Sequence, residues 1–117
     1  MKNYLFVLSK PTICGSYSQE MLDIILTAAV FDQHVTILLL DGGVFQLKKH
    51  QHPNADIKDT SSIFRALEIY DITNIYVEYE SIQECGLDLS DLFLPVQICY
   101  RNNLTQLFLQ FDVLFSN

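Results

Sequence analysis

Apolar positions fall in short runs separated by turn-forming residues, and the run from His34 to Leu47 (HVTILLLDGGVFQL) anchors the pattern. Val35, Ile37, Leu38, Leu39 and Leu40 are nearly continuous and are closed by Asp41, Gly42 and Gly43. A run this short and branched predicts a strand buried on both faces, as in parallel sheets sandwiched by helices. Gly42 and Gly43 can take backbone angles that other residues avoid, which predicts a sharp turn at the sheet's carboxyl edge. Val44, Phe45 and Leu47 then place apolar groups beside that edge, where open α/β sheets usually build their sites.

The rest of the chain alternates in the same way. Tyr4–Ser9 predicts a first strand, ended by Pro11. Ser16 and Gln19 have capping-box spacing and predict a helix from Tyr17 to about Phe31. Its apolar stripe is wider than one sheet contact needs, so it is to be covered on a second side by a partner chain or by neighbouring helices. Lys48–Asp56 reads as a polar loop, and Thr60 and Ser61 precede a helix whose Ile63, Phe64, Leu67 and Ile69 are spaced for one buried face. Asp71 and Thr73 break that helix. Asn74–Tyr79 predicts the third strand, Ser81–Cys85 a short helix ending at Gly86, and Leu87–Pro95 a loop with the apolar centre Leu92, Phe93 and Leu94. Val96–Tyr100 is the fourth strand, Asn103 and Gln106 open a helix over Leu104–Gln110, and Asp112–Phe115 is the fifth. Strands alternating with helices through short links predict an α/β fold with a mainly parallel five-stranded sheet.

Length and charge narrow the function classes. A chain of 117 residues predicts one domain, 1–117. Half of its residues are hydrophobic, with eight Phe and six Tyr, which is enough for an aromatic-rich core. The formal net charge is −7 with seven Lys and Arg, which disfavours free nucleic acid and suits docking on other proteins. No apolar stretch nears the roughly 20 residues that span a bilayer. Met1, Lys2 and Asn3 lead directly into a strand-like run, which predicts no cleaved leader. Cys14, Cys85 and Cys99 contain no C-x-x-C pair, which predicts reduced thiols in a cytosolic protein.

Several residues are candidates for chemistry. Cys14 lies just before the first helix, whose dipole favours a thiolate able to act as nucleophile or to accept sulfane sulfur; with only Lys10 near it, an unreactive loop thiol is the plainer reading. Cys85 at a helix end and Cys99 inside a strand read as packing residues. His50 and His52, with Lys48 and Lys49, form either a solvated loop or a docking patch for an acidic partner or a tRNA backbone; two histidines alone are a weak metal signal. Asp41-Gly42-Gly43 lacks both dinucleotide and P-loop spacing, so it reads as a plain turn before it reads as an anion cradle. Glu78 and Glu80 straddle the end of the third strand, as a proton-moving or metal-binding pair or as solvated edge charges. A phosphorelay receiver is excluded, because Ser9 and Lys10 stand where it needs an acidic pair.

The segments GVFQL (43–47), FRALEIYDI (64–72), ECGLD (84–88) and FDVLF (111–115) together resemble the DsrE/DsrF-like family, on its TusC/DsrF branch. The resemblance spans essentially the whole chain, and GVFQL is its most specific piece. One departure is Gly42, which separates Asp41 from Gly43 where that branch has Asp directly before the Gly. The resemblance implies a three-layer α/β/α domain and assembly with TusB-like and TusD-like subunits in a dimer of heterotrimers. It implies relay of persulfide sulfur from a TusA-like carrier toward a TusE-like one, for 2-thiouridine at the tRNA wobble position, in the cytoplasm. No cofactor or metal is expected, and charge and hydropathy lead to the expectation of no direct nucleic-acid contact and no membrane. The sulfur-accepting cysteine belongs to the TusD-type subunit, just after its third strand, and that position falls on Glu78 here. A non-carrier, interaction subunit is therefore the first expectation. A chain that carries sulfur itself on Cys14 is the second, and a small-ligand module using the Gly42-Gly43 edge is the third.

Overall fold

A computed structural model of the chain describes residues 2–9, 17–31, 34–47, 67–72, 74–92 and 95–116. Five strands, β1 (Asn3–Leu8), β2 (His34–Leu39), β3 (Ile75–Glu78), β4 (Gln97–Cys99) and β5 (Val113–Ser116), form one sheet in the order β4-β3-β2-β1-β5. Every pairing is parallel. The anchoring run is the middle strand. Ile37, Leu38 and Leu39 have no exposed surface, because helices cover both faces of the sheet.

Helix α1 (Tyr17–Val30) links β1 to β2, α2 (Tyr79–Glu84) links β3 to β4, and α3 (Leu104–Phe108) links β4 to β5. Residues 67–69 are also helical; Leu67 is buried as expected, but Ile69 is 80% exposed and does not share its buried face. From β1 to β4 the chain steps across the sheet in one direction, and right-handed crossovers then put the connecting helices on one face. The step from β4 to β5 returns past all the others, so α3 lands on the opposite face. The core divides accordingly. Phe6, Leu8, Val35, Ile37, Leu39, Ile75 and Val77 pack against Ile25 and Ala28 of α1, Leu67, and Ile82 of α2. Leu5, Val7, Leu38 and Cys99 pack against Leu107 of α3. Successive strand residues alternate between these two clusters, as the pleat requires.

The turn after β2 is a 3-10 helix, Asp41–Leu47. Its glycines serve a different purpose from the expected one. The residue with left-handed backbone is Asp41, at φ 49°, and neither Gly42 nor Gly43 has positive φ. Gly43 is needed for space: a Cβ there would lie 2.0 Å from the Leu8 carbonyl oxygen, which itself accepts the Leu40 N–H at 3.1 Å. At Gly86 the expected helix stop is present. Gly86 has φ 70°, its N–H reaches the Gln83 carbonyl at 3.0 Å, and the Leu87 N–H reaches that of Ile82 at 3.0 Å. Those two bonds are a Schellman cap, with Leu87 and Ile82 in the same core cluster. Asp71, at φ 62°, closes the helical residues 67–69 by the same pair of bonds, Asp71 N–H to Glu68 and Ile72 N–H to Leu67.

Two further expectations shift. The cap predicted at Asn103 and Gln106 is not formed, since the Asn103 side chain makes no capping bond and a 3-10 turn over Arg101–Asn103 leads into α3. A reciprocal capping box instead joins Asp88 and Asp91. The cap at Ser16 and Gln19 and the helix start at Thr60 and Ser61 lie outside the described residues.

Candidate functional site at the carboxyl edge of the sheet

β3 passes into α2 with no intervening turn, two residues earlier than the Ser81 start expected from sequence. Glu78 ends the strand with extended backbone (φ −73°, ψ 122°), and Tyr79 is already helical. This junction aims the Glu78 side chain along the carboxyl edge, where it is 2% exposed.

Three donors converge on one of its oxygens. Ser81 Oγ, one helical turn on, donates to Glu78 Oε1 at 2.5 Å. Arg101, just past β4, donates to the same oxygen from Nη2 at 2.8 Å and from Nε at 3.3 Å. Ser81 Oγ accepts the Asp41 backbone N–H at 2.7 Å, which ties in the turn after β2. Arg101 also reaches outward to Glu84, with Nη2 2.6 Å from Oε1. The Glu80 carboxylate accepts the Arg101 backbone N–H at 3.0 and 3.2 Å. One guanidinium and one backbone N–H thus bind three glutamates, and the network joins the ends of β2, β3 and β4.

Solvated edge charges therefore do not describe this pair. Glu78 is buried and ion-paired, and Glu80 is partly buried and anchored on a backbone donor. The reason is Arg101, to which no local sequence motif gives a role. The available signal was that Arg101 is the sole Lys or Arg after Arg65, in an otherwise acidic C-terminal half, directly behind a buried strand.

Electrostatics follow from the contacts. Hydrogen bonding and attraction to Arg101 hold the Glu84 carboxyl below the usual carboxylate range. The two carboxylates correspondingly push the Arg101 guanidinium up. Oxygens of Asp41, Glu78 and Glu84 lie within 4.8 Å of one another, but Arg101 already neutralises Glu78 and Glu84, so a cation would have to displace it.

Both described thiols lie close to this edge. Cys85 Sγ donates to the Asp41 carbonyl at 3.5 Å, and burial, Glu84 and Asp41 push its pKa up. Cys99, the register partner of Glu78 on the adjoining strand, contacts the Val77 carbonyl at 3.6 Å; burial, then Glu78 and Glu80, push it up to about 11. Both stay protonated at neutral pH and are poor nucleophiles, in line with packing roles. Asp41-Gly42-Gly43 is a turn and not an anion cradle, because the Asp41 N–H is taken by Ser81, the Gly43 N–H by the Leu40 carbonyl, and the neighbouring side chains are carboxylates. Cys14, Lys48, Lys49, His50 and His52 lie outside the described residues.

Comparison with known proteins agrees with this architecture. The chain is 33% identical to a "Protein TusC homolog" of Pseudomonas aeruginosa over 114 residues, covering 96% of each chain. It is 33% identical to the "Intracellular sulfur oxidation protein DsrF" of Allochromatium vinosum over 107 residues, 91% of this chain and 76% of that one. It is 34% identical to "Protein TusC" of Escherichia coli over 89 residues, 75% of each. The fold matches the crystal structure of the E. coli ychN protein with a TM-score of 0.81 over the full length of both chains, at 13% identity. The model of the DsrE/DsrF-like family matches residues 2–116, and with the parallel five-stranded sheet and these relatives it places the chain in that family, to which it belongs.

Proposed function

We propose that this chain is the TusC-type, non-carrier subunit of a cytoplasmic TusBCD-type sulfur-relay complex that supports 2-thiouridine formation at the tRNA wobble position. Its relatives named TusC and DsrF support a sulfur-relay role. The observation that carries the non-carrier reading is residue 78. At the end of β3, where the resemblance puts the sulfur-accepting cysteine of the TusD-type subunit, this chain has a carboxylate held by Arg101 and Ser81. A carboxylate cannot form a persulfide, and the two described thiols are held protonated. The chain's contribution is then to bind TusB-like and TusD-like subunits and hold the carrier's surroundings, with TusA-like and TusE-like proteins engaging the assembly. Within the described residues no helix is long and apolar enough to cross a membrane.

The test is co-expression with TusB-like and TusD-like chains, together with deletion of the gene and mass spectrometry of digested tRNA. A stable heterocomplex and loss of wobble 2-thiouridine are expected. A soluble monomer that ignores both chains, with thiolation intact, overturns the reading. A one-sulfur adduct on Cys14 after incubation with a persulfide donor, abolished by Cys14→Ser, would move the chain to the carrier class.

A further inference from the structure

Away from the carboxyl edge, the face of the sheet that carries α1 holds an open groove of about 450 Å³. Its floor is aromatic: Tyr4 and Phe6 of β1 and Phe115 of β5, with the Phe6 and Phe115 rings stacked at 5.0 Å and 8°. Its wall is Ile24 and Ala28 of α1 and Phe31 just past the helix end, spaced by one helical turn, with Asp23 and Thr27 beside them. Phe31 is 70% exposed and Ile24 44%, and the apolar surface continues over α1 to Val30, at 67%. So large an exposed apolar surface on one helix and its adjoining floor marks an interaction site.

The groove's dimensions select its occupant. α1 sits over β2, so β1 and β5 are left as a floor two strands wide, roughly 10 Å at the usual strand spacing. That is the diameter of one α-helix, about 10 Å, and a helix laid there would pack beside α1 at the ordinary interaxial distance. The geometry points to an α-helix from another chain.

Charge decides between a second copy and a different protein. Among the described residues, the helix that exposes the most large apolar side chains is α1 itself, and a reciprocal exchange of it between two copies would bring Asp23 of each copy into the same interface and join two chains of net charge −7. We propose that the groove between α1 and the β1–β5 floor docks an amphipathic helix of a non-identical subunit, with an apolar face and basic flanks that complement this acidic chain. The proposal rests on the subunit reading above and assigns it a surface.

The experiment co-expresses the tagged chain with its TusB-like and TusD-like neighbours and measures partner recovered per tagged chain. Phe31→Glu and Ile24→Glu should each lower recovery of one partner at least tenfold. Leu109→Glu, 81% exposed and beyond α3 on the opposite face, should leave it unchanged. A photo-crosslinking residue at position 31 should attach to a helix of that partner. Circular dichroism confirms that each variant is folded, and the crosslink, which needs no destabilising change, covers a variant that is not. Full recovery with both folded groove variants, or a crosslink to a strand, a loop or a second copy of this chain, overturns the groove proposal while leaving the subunit reading intact. If the unmodified chain recovers neither partner, the subunit reading fails and the groove proposal fails with it.

Discussion

Replacing Glu78 by Gln isolates the charge at the centre of the carboxyl-edge network. Gln has the same shape and keeps an acceptor oxygen, so what is lost is the negative charge that Arg101 and Ser81 share. A hydrogen bond to a charged group contributes about 1.5–3 kcal/mol and a neutral one about 0.5–1.5 kcal/mol, so each of the two strong contacts loses roughly 1–1.5 kcal/mol. Arg101 is 46% exposed and keeps Glu84, so it is not stranded, and the cost falls below the roughly 3–5 kcal/mol of breaking a fully buried pair. The sum is about 2–3 kcal/mol. At about 4 °C per kcal/mol for a chain of this size, Tm should fall by roughly 8–12 °C. Glu84→Gln is the control: it removes an equally short contact to the same guanidinium, but from a side chain 58% exposed, and water compensates for most of such a pair. Thermal unfolding followed by circular dichroism at pH 7 reads both. A Glu78→Gln protein within about 0.5 kcal/mol of the parent, or a Glu84→Gln protein that loses more, would refute the account of Glu78 as the buried end of this network.

Gly43→Ala should cost about 3 kcal/mol or more, read as lost soluble yield or Tm, because the new Cβ meets the Leu8 backbone 2.0 Å away. Gly86→Ala, with open space around it but φ 70°, should cost only about 1 kcal/mol. Asp71→Gly should be neutral or stabilising by up to about 1 kcal/mol in a urea midpoint, and Asp71→Val should cost about 1–2 kcal/mol, because the position needs left-handed backbone. Cys99 should resist thiol reagents at pH 8 in the folded protein. Since its folded pKa of about 11 lies above the ordinary 9.0, its contribution is full below pH 9 and is lost as pH rises from 9 through 11; Cys99→Ala should flatten that alkaline slope in equilibrium unfolding.

What was legible in the sequence was what repeats or terminates. The continuous apolar run of β2, the alternation of strands and helices, and the Gly86 stop each depend on a few adjacent residues, and each is present. The wide apolar stripe of α1 is not covered by neighbouring helices at Ile24 or Val30, nor at Phe31 just past its end, which all remain exposed. What was not legible depends on neighbours distant in sequence. Nothing local says that Gly43 abuts Leu8, 35 positions earlier, so the sequence alone points to conformation and not to space as its reason. Tyr79 has a strand former's side chain, yet the helix begins there, in a segment whose Ser81 and Glu84 contact Asp41 and Arg101, both distant in sequence. Glu78 looked like an edge charge because its counter-ion, Arg101, lies 23 positions away.

The direct passage of β3 into α2 leaves residue 78 no slack. Its direction is dictated by a pleat on one side and a helical turn on the other, so whatever group occupies that spot is delivered to the same point beside Ser81 and Arg101. An insertion of one residue there would invert the strand's facing or swing the helix by about a third of a turn. A substitution leaves the scaffold in place, so the chemistry of this socket can be rewritten by a single codon while the surrounding architecture is inherited unchanged.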